Sequence, residues 1–208
     1  MQRRRLGNTD LEVSAISLGC WPFGVDWWGH YTDEAALGLM RFALDQGITF
    51  FDNGDAYGNG RNEELIAEAI AGHRADYVIA SKFGNVGLQG NPRFADGRPE
   101  YLKECCDGSL QRLKTDVIDL YLSHWPDMAT PIEETLKAYQ RLIEKGKIRW
   151  CGASNLSVAL LEAALAAAKA NTADTVLIPQ VAGGVEAVLA EGLQHHLFLG
   201  RVLGKVKS

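Results

Sequence analysis

Residues 50–64 read FFDNGDAYGNGRNEE, and the reading of this stretch decides how the rest of the chain folds. An apolar run, Ile48-Thr49-Phe50-Phe51, ends on Asp52. A turn rich in glycine and acid follows, and then Asn62-Glu63-Glu64, a polar and acidic opening that suits the start of a helix. The unit is strand, turn, helix. Its acids invite a calcium loop, which needs oxygen ligands at the first, third and fifth positions and a glutamate at the twelfth. Counted from Asp52, Glu63 is twelfth, but Gly54 and Ala56 hold the third and fifth places and offer no side-chain oxygen. A Walker-type phosphate loop needs a Gly-Lys-Ser/Thr ending, which is absent. The glycines are therefore left to shape the turn, and the polar side chains to meet whatever lies over it.

Working outward, the same unit recurs. Ile16–Gly19, Tyr77–Lys82, Val117–Leu122, Ile148–Ala153 and Val176–Pro179 are short apolar runs with the β-branched content of strands covered on both faces. Helical patterns lie between them. One is capped by Thr32-Asp33-Glu34 and runs toward Gln46-Gly47; another is capped at Asn62-Glu63-Glu64 and runs toward Ala71-Gly72. Others span residues 99–113, 131–145 and 157–169. Strand ends fall near residues 52, 82, 124, 154 and 180, in steps of 30, 42, 30 and 26. This predicts an α/β fold of the (β/α)8 TIM-barrel type rather than a doubly wound sheet, since no GxGxxG follows the first strand. Arg3–Leu6 and Leu11–Val13, around Gly7-Asn8-Thr9, read as an N-terminal β-hairpin added before the barrel. The long Gly-, Asn- and Pro-rich segment 84–98 is expected at the same end as the other loops that follow strands.

The 208 residues, 47% of them hydrophobic, suit one domain over residues 1–208. A net charge of −5 argues against nucleic-acid or anionic-membrane partners, which require a basic footprint. MQRRRL imitates the start of a signal peptide, but the polar Gly7-Asn8-Thr9-Asp10 stands where an apolar core should begin. Ser17-Leu18-Gly19-Cys20 resembles a lipobox that Asp10 and Glu12 spoil. No apolar run reaches the roughly 20 residues of a membrane span. Cys20, Cys105, Cys106 and Cys151 lack CxxC spacing and read as reduced thiols of a cytoplasmic protein. His195-His196 has no carboxylate or cysteine cluster nearby, so no metal site is expected.

The chemistry gathers at strand ends. Asp52, Lys82, His124, Asn155 and Gln180 close successive strands, and all such ends share one rim of a barrel. A single polar residue there is usually a solvated or capping group. Five with compatible chemistry make a site the better reading. Tyrosine, with a reference pKa of ~10, is a poor acid at neutral pH. A neighbouring lysine favours the phenolate and lowers that value, and an aspartate keeps the lysine charged. Tyr57, reaching back from the turn, could then protonate a carbonyl oxygen while His124 orients it. No side chain supplies hydride, so a nicotinamide cofactor is required. Trp21, Trp27, Trp28 and Trp125 suit an aromatic-walled pocket as well as ordinary packing.

At this point the chain resembles the aldo-keto reductase superfamily. The matching stretches are FFDNGDAYGNGRNEE, ASKFG, SLQRLKTDVIDLYLSHWPD and KGKIRWCGASNL, and the likeness runs from about residue 3 to about residue 180. The resemblance implies that Asp52, Tyr57, Lys82 and His124 form a catalytic tetrad with Tyr57 as acid/base. It implies that Ser154, Asn155 and Gln180 hold the nicotinamide carboxamide. It also implies an eight-stranded barrel that reduces small-molecule aldehydes and ketones with NADPH, or with NADH.

The chain departs from that pattern after Gln180, where 28 residues remain. The divergent tail, residues 181–208, lacks the late loop and helix that grip the cofactor phosphates, and reads as one amphipathic helix or as off-frame sequence. About six βα units are therefore expected, with unpaired sheet edges that favour self-association and a weakened hold on the dinucleotide. A catalytically silent relative acting through protein contacts is the alternative expectation.

Overall fold

A computed structural model describes residues 1–7, 9–24, 31–86, 94–171, 177–180, 185–188 and 197–200. The chain opens with an antiparallel hairpin, β1 (Arg3–Arg5) against β2 (Glu12–Ser14). Six parallel strands follow in strict sequence order. They are β3 (Leu18–Gly19), β4 (Phe50–Asp52), β5 (Val78–Phe83), β6 (Ile118–Ser123), β7 (Ile148–Ser154) and β8 (Leu177–Gln180). The helices α1 (Asp33–Asp45), α2 (Arg61–Ala69), α3 (Pro99–Leu113), α4 (Ile132–Glu144) and α5 (Val158–Asn171) connect them. Sequential parallel strands with helical crossovers are the expected barrel architecture, here with six strands in an open row.

Period-two alternation sorts the strand residues onto two faces. Phe50, Val78, Ala80, Leu120 and Leu122 face inward, where Leu6, Leu11 and Val13 of the hairpin region pack against them. Phe51, Ile79, Phe83, Tyr121 and Cys151 face outward into a second core shared with Met40, Ile66, Leu102 and Tyr139 of the helices. The inward set is even-numbered along β4, β5 and β6, so the rule carries Asp52, Lys82 and His124 onto the inner face at the strand ends. The hairpin covers the opposite end.

Helix boundaries follow local chemistry. The Thr32 hydroxyl accepts from the Ala35 amide at 3.2 Å, capping α1 as its sequence predicts. The expected cap at Asn62 is corrected. Helix α2 begins at Arg61 after Gly60, whose φ of 88° is left-handed. Asn62 lies inside the helix, fully buried, and donates to the Cys20 carbonyl at 2.6 Å, tying the turn to the end of β3. The tail is also corrected. In place of one amphipathic helix, β9 (Val185–Val188) and β10 (Leu197–Gly200) pair antiparallel. His195 and His196, like Trp27 and Trp28, lie outside the described residues.

Candidate active site

The quoted turn is an extension of the sheet. The amides of Asn53 and Asp55 donate to the carbonyls of Ala80 and Lys82 at 2.9 and 3.0 Å, so pairing of the chain with β5 continues past Asp52. The Tyr57 amide donates to Gly54 O at 3.0 Å and folds the chain back. The phenol thereby returns over the strand ends. Lys82, 1% exposed, sits at the centre. Its ammonium donates to Asp52 Oδ1 at 2.6 Å, to Asn53 O at 2.7 Å and to the Tyr57 hydroxyl at 3.1 Å. Three donors meet three acceptors, which fixes the amine completely. Because the Tyr57 oxygen accepts from Lys82, its own proton is free to point outward.

The electrostatics refine one expectation. Burial raises the pKa of Tyr57, Lys82 pulls it down, and burial wins, so the phenol sits above its ordinary value rather than below it. The sequence shows the lysine and hides the desolvation. Burial by itself would discharge Lys82, but Asp52 and Tyr57 hold its pKa above the usual amine value. His124, 7% exposed, is driven down to about 3 by burial and by the Lys82 charge, and is therefore neutral at physiological pH. Its ring meets that of Tyr57 edge to face, with centroids 5.5 Å apart, and its buried Nδ1 has no hydrogen-bond partner. Trp125 stacks on His124 at 6.3 Å, and Phe94 packs against Trp125 at 5.0 Å. That supplies an aromatic wall at one of the four expected tryptophans. A separate cavity of about 210 Å³ opens between the outer face of β6–β7 and helices α4 and α5; none of the four tetrad side chains lines it.

At the end of β7, Asn155 adopts a left-handed φ of 58°. Its Nδ2 donates to the His124 carbonyl at 2.8 Å and to Ser154 Oγ at 3.0 Å. Both N–H donors are thus committed, leaving Oδ1 as an acceptor, while the Ser154 hydroxyl keeps its own proton to donate. One donor beside one acceptor complements a primary amide, so this pair fits a nicotinamide carboxamide. Gln180 stands directly across from Ser154 in the β7–β8 register. The structure thus brings Asp52, Tyr57, Lys82 and His124 together, with Ser154, Asn155 and Gln180 on neighbouring strand ends. The Asn53 carbonyl was missed by sequence reasoning, because main-chain acceptors carry no residue signature.

The profile of the Aldo/keto reductase family matches residues 15–180. This chain belongs to that family. It is 38% identical over 174 residues to Aldo-keto reductase YhdN of Bacillus subtilis (strain 168), an alignment covering 83% of this chain and 52% of the relative. Among solved structures, aldo-keto reductase AKR11C1 from Bacillus halodurans, in its holo form, superposes with a TM-score of 0.74 at 33% identity, covering 86% of this chain and 57% of that one. The thermostable aldo-keto reductase Tm1743 in complex with the inhibitor epalrestat gives 0.72 at 35% identity, covering 87% and 62%. The aldo/keto reductase neighbours are (β/α)8 barrels, and the six parallel strands here correspond to part of one. The chain spans about half the length of the curated relatives it matches. No helix among the described residues is long and apolar enough to cross a membrane.

Proposed function

We propose that this chain carries the carbonyl-reducing centre of an NAD(P)H-dependent oxidoreductase, with Tyr57 as proton donor. The observation that carries the reading is the Lys82 ammonium held between Asp52 at 2.6 Å and the Tyr57 hydroxyl at 3.1 Å. A bound nicotinamide, seated by Ser154, Asn155 and Gln180, would supply hydride to the carbonyl carbon. Tyr57 donates a hydrogen bond to the carbonyl oxygen of an aldehyde or ketone, and neutral His124 orients that oxygen with a second. As charge builds on the oxygen, the Tyr57 proton moves onto it. Lys82 stabilises the phenolate left behind, and Asp52 keeps Lys82 charged and in place.

NADPH is the proposed partner in preference to NADH, by analogy with the family, and the cytoplasm the proposed setting, in keeping with four free cysteines. The experiment is carbonyl-dependent oxidation of NADPH and of NADH by the purified chain, with an aromatic aldehyde as substrate. Oxidation that requires the aldehyde and falls roughly 10²–10⁴-fold in Tyr57→Phe supports the reading. An unchanged rate in that variant refutes it.

A further inference from the structure

The segment that carries Tyr57 is closed on two consecutive residues of β5. It leaves the strand at Lys82, whose carbonyl accepts from the Asp55 amide at 3.0 Å. It passes through Tyr57 and then through Gly58, Asn59 and Gly60, whose φ angles of 59°, 51° and 88° are all left-handed. It returns in the first turn of α2, where Ser81 Oγ donates to Glu63 Oε1 at 2.6 Å. Between these two anchors the phenol accepts from Lys82 Nζ at 3.1 Å. Ser81 shares the outward parity of Ile79 and Phe83, so one residue of β5 holds the helix layer while the next holds the phenol. Ser81 and Glu63 are both fully buried. Glu63 spends its other oxygen on Arg112 of α3, whose Nε donates to Oε2 at 2.6 Å. Desolvation offsets most of what a buried ion pair gains, so stability alone explains this carboxylate badly.

We propose that Glu63 is a positioning residue for Tyr57, its bond to Ser81 closing the Tyr57 loop on β5 so that the phenol oxygen stays on Lys82 Nζ. The loop is held at both ends by the strand that supplies the amine, so phenol and amine share one rigid support. Take away the Ser81 hydroxyl and Glu63 Oε1 is left buried without that donor, a costly state relieved by moving the first turn of α2. The left-handed run then yields with it. Asn59 holds a φ that residues with a side chain disfavour, and a loop released at Glu63 relaxes out of that conformation, carrying the phenol off Lys82. The inference rests on the proposed role of Tyr57 as proton donor, but one arm of its test does not depend on turnover.

The experiment compares the wild type with Ser81→Ala, Glu63→Gln and Ala67→Gly. One readout is the hydroxyl-bearing ring carbon of Tyr57, followed by NMR at neutral pH in carbon-13 tyrosine-labelled chain and assigned by its loss in Tyr57→Phe. The other is kcat and KM for aldehyde reduction. Ser81→Ala should displace the Tyr57 signal and lower kcat roughly ten- to a hundredfold with KM little changed, the mark of a misplaced reacting group with substrate binding intact. Glu63→Gln should stay near the wild type in both, because its amide can accept from Arg112 through oxygen and donate to Ser81 Oγ through nitrogen. Ala67→Gly weakens α2 from within, through helix propensity, and should leave signal and kcat where they are. A signal and kcat unmoved in Ser81→Ala, or moved as far in Ala67→Gly, overturn the inference. So does a Glu63→Gln chain that falls as far as Ser81→Ala, since charge and not the bond would then be the cause. A displaced signal in a chain that reduces no carbonyl would sink the proposed function and leave the placing of Tyr57 by Glu63 standing.

Discussion

With only 1% of its surface exposed, Lys82 carries a charge that water scarcely reaches. Its state depends on Asp52 and Tyr57, and theirs on it. Lys82→Met should raise the pKa of Tyr57 further and lower kcat roughly 10²–10⁴-fold, with the largest loss near neutral pH. An unchanged pH–rate profile would count against the coupling. His124 gives a second residue-scale test, with the opposite dependence on acid. Its folded value of about 3 lies below the ordinary imidazole value of ~6.5. The unfolded chain therefore binds a proton that the folded chain refuses, and stability is lost as pH falls from ~6.5 toward ~3. His124→Gln should shrink the stability difference between pH 7 and pH 4, measured by urea unfolding. Equal losses in both proteins would show that His124 is not held neutral.

At the scale of elements, the join between α2, α3 and the turn is the sensitive point. Gly60 has a φ of 88°, and a Cβ there would lie 2.5 Å from Arg112 Cδ and 2.6 Å from its Nε. Gly60→Ala should displace Arg112 from the buried Glu63 and strain the backbone together. A loss of roughly 2–4 kcal/mol in guanidinium unfolding is expected; a loss below ~0.5 kcal/mol would contradict this packing. The gathering of Asp52, Lys82 and His124 was legible in the sequence because each closes a strand, and they share parity with the inward-facing Phe50, Ala80 and Leu122. Asp55 stood in the same quoted stretch and was not legible. The burial that pushes its carboxyl up to about 7 comes from the helix layer, reached only through the fold, and one-dimensional pattern does not encode it. The sign of the Tyr57 shift was missed for the same reason. Asn62 carried a true helix-start composition, but the left-handed Gly60 began the helix first and freed the amide to reach Cys20.

For the molecule as a whole, six strands in the order β3 to β8 leave β3 and β8 at opposite ends of the sheet. Among the described residues neither edge pairs with a further strand, and such edges favour association with another copy. The purified chain should elute from size exclusion with an apparent mass that rises with concentration, and a monomer at all concentrations would contradict that proposal. The proposed seat for a nicotinamide pairs the Ser154 hydroxyl as donor with Asn155 Oδ1 as acceptor at the end of β7. The most direct test of the account is transfer of deuterium from NADPH, labelled at its transferable ring position, to the carbonyl carbon of an aldehyde. Mass spectrometry of the alcohol should find one deuterium with the wild type, and a yield lower by about two orders of magnitude with Tyr57→Phe. Undiminished labelled alcohol from Tyr57→Phe, or none from the wild type at saturating NADPH, would contradict it.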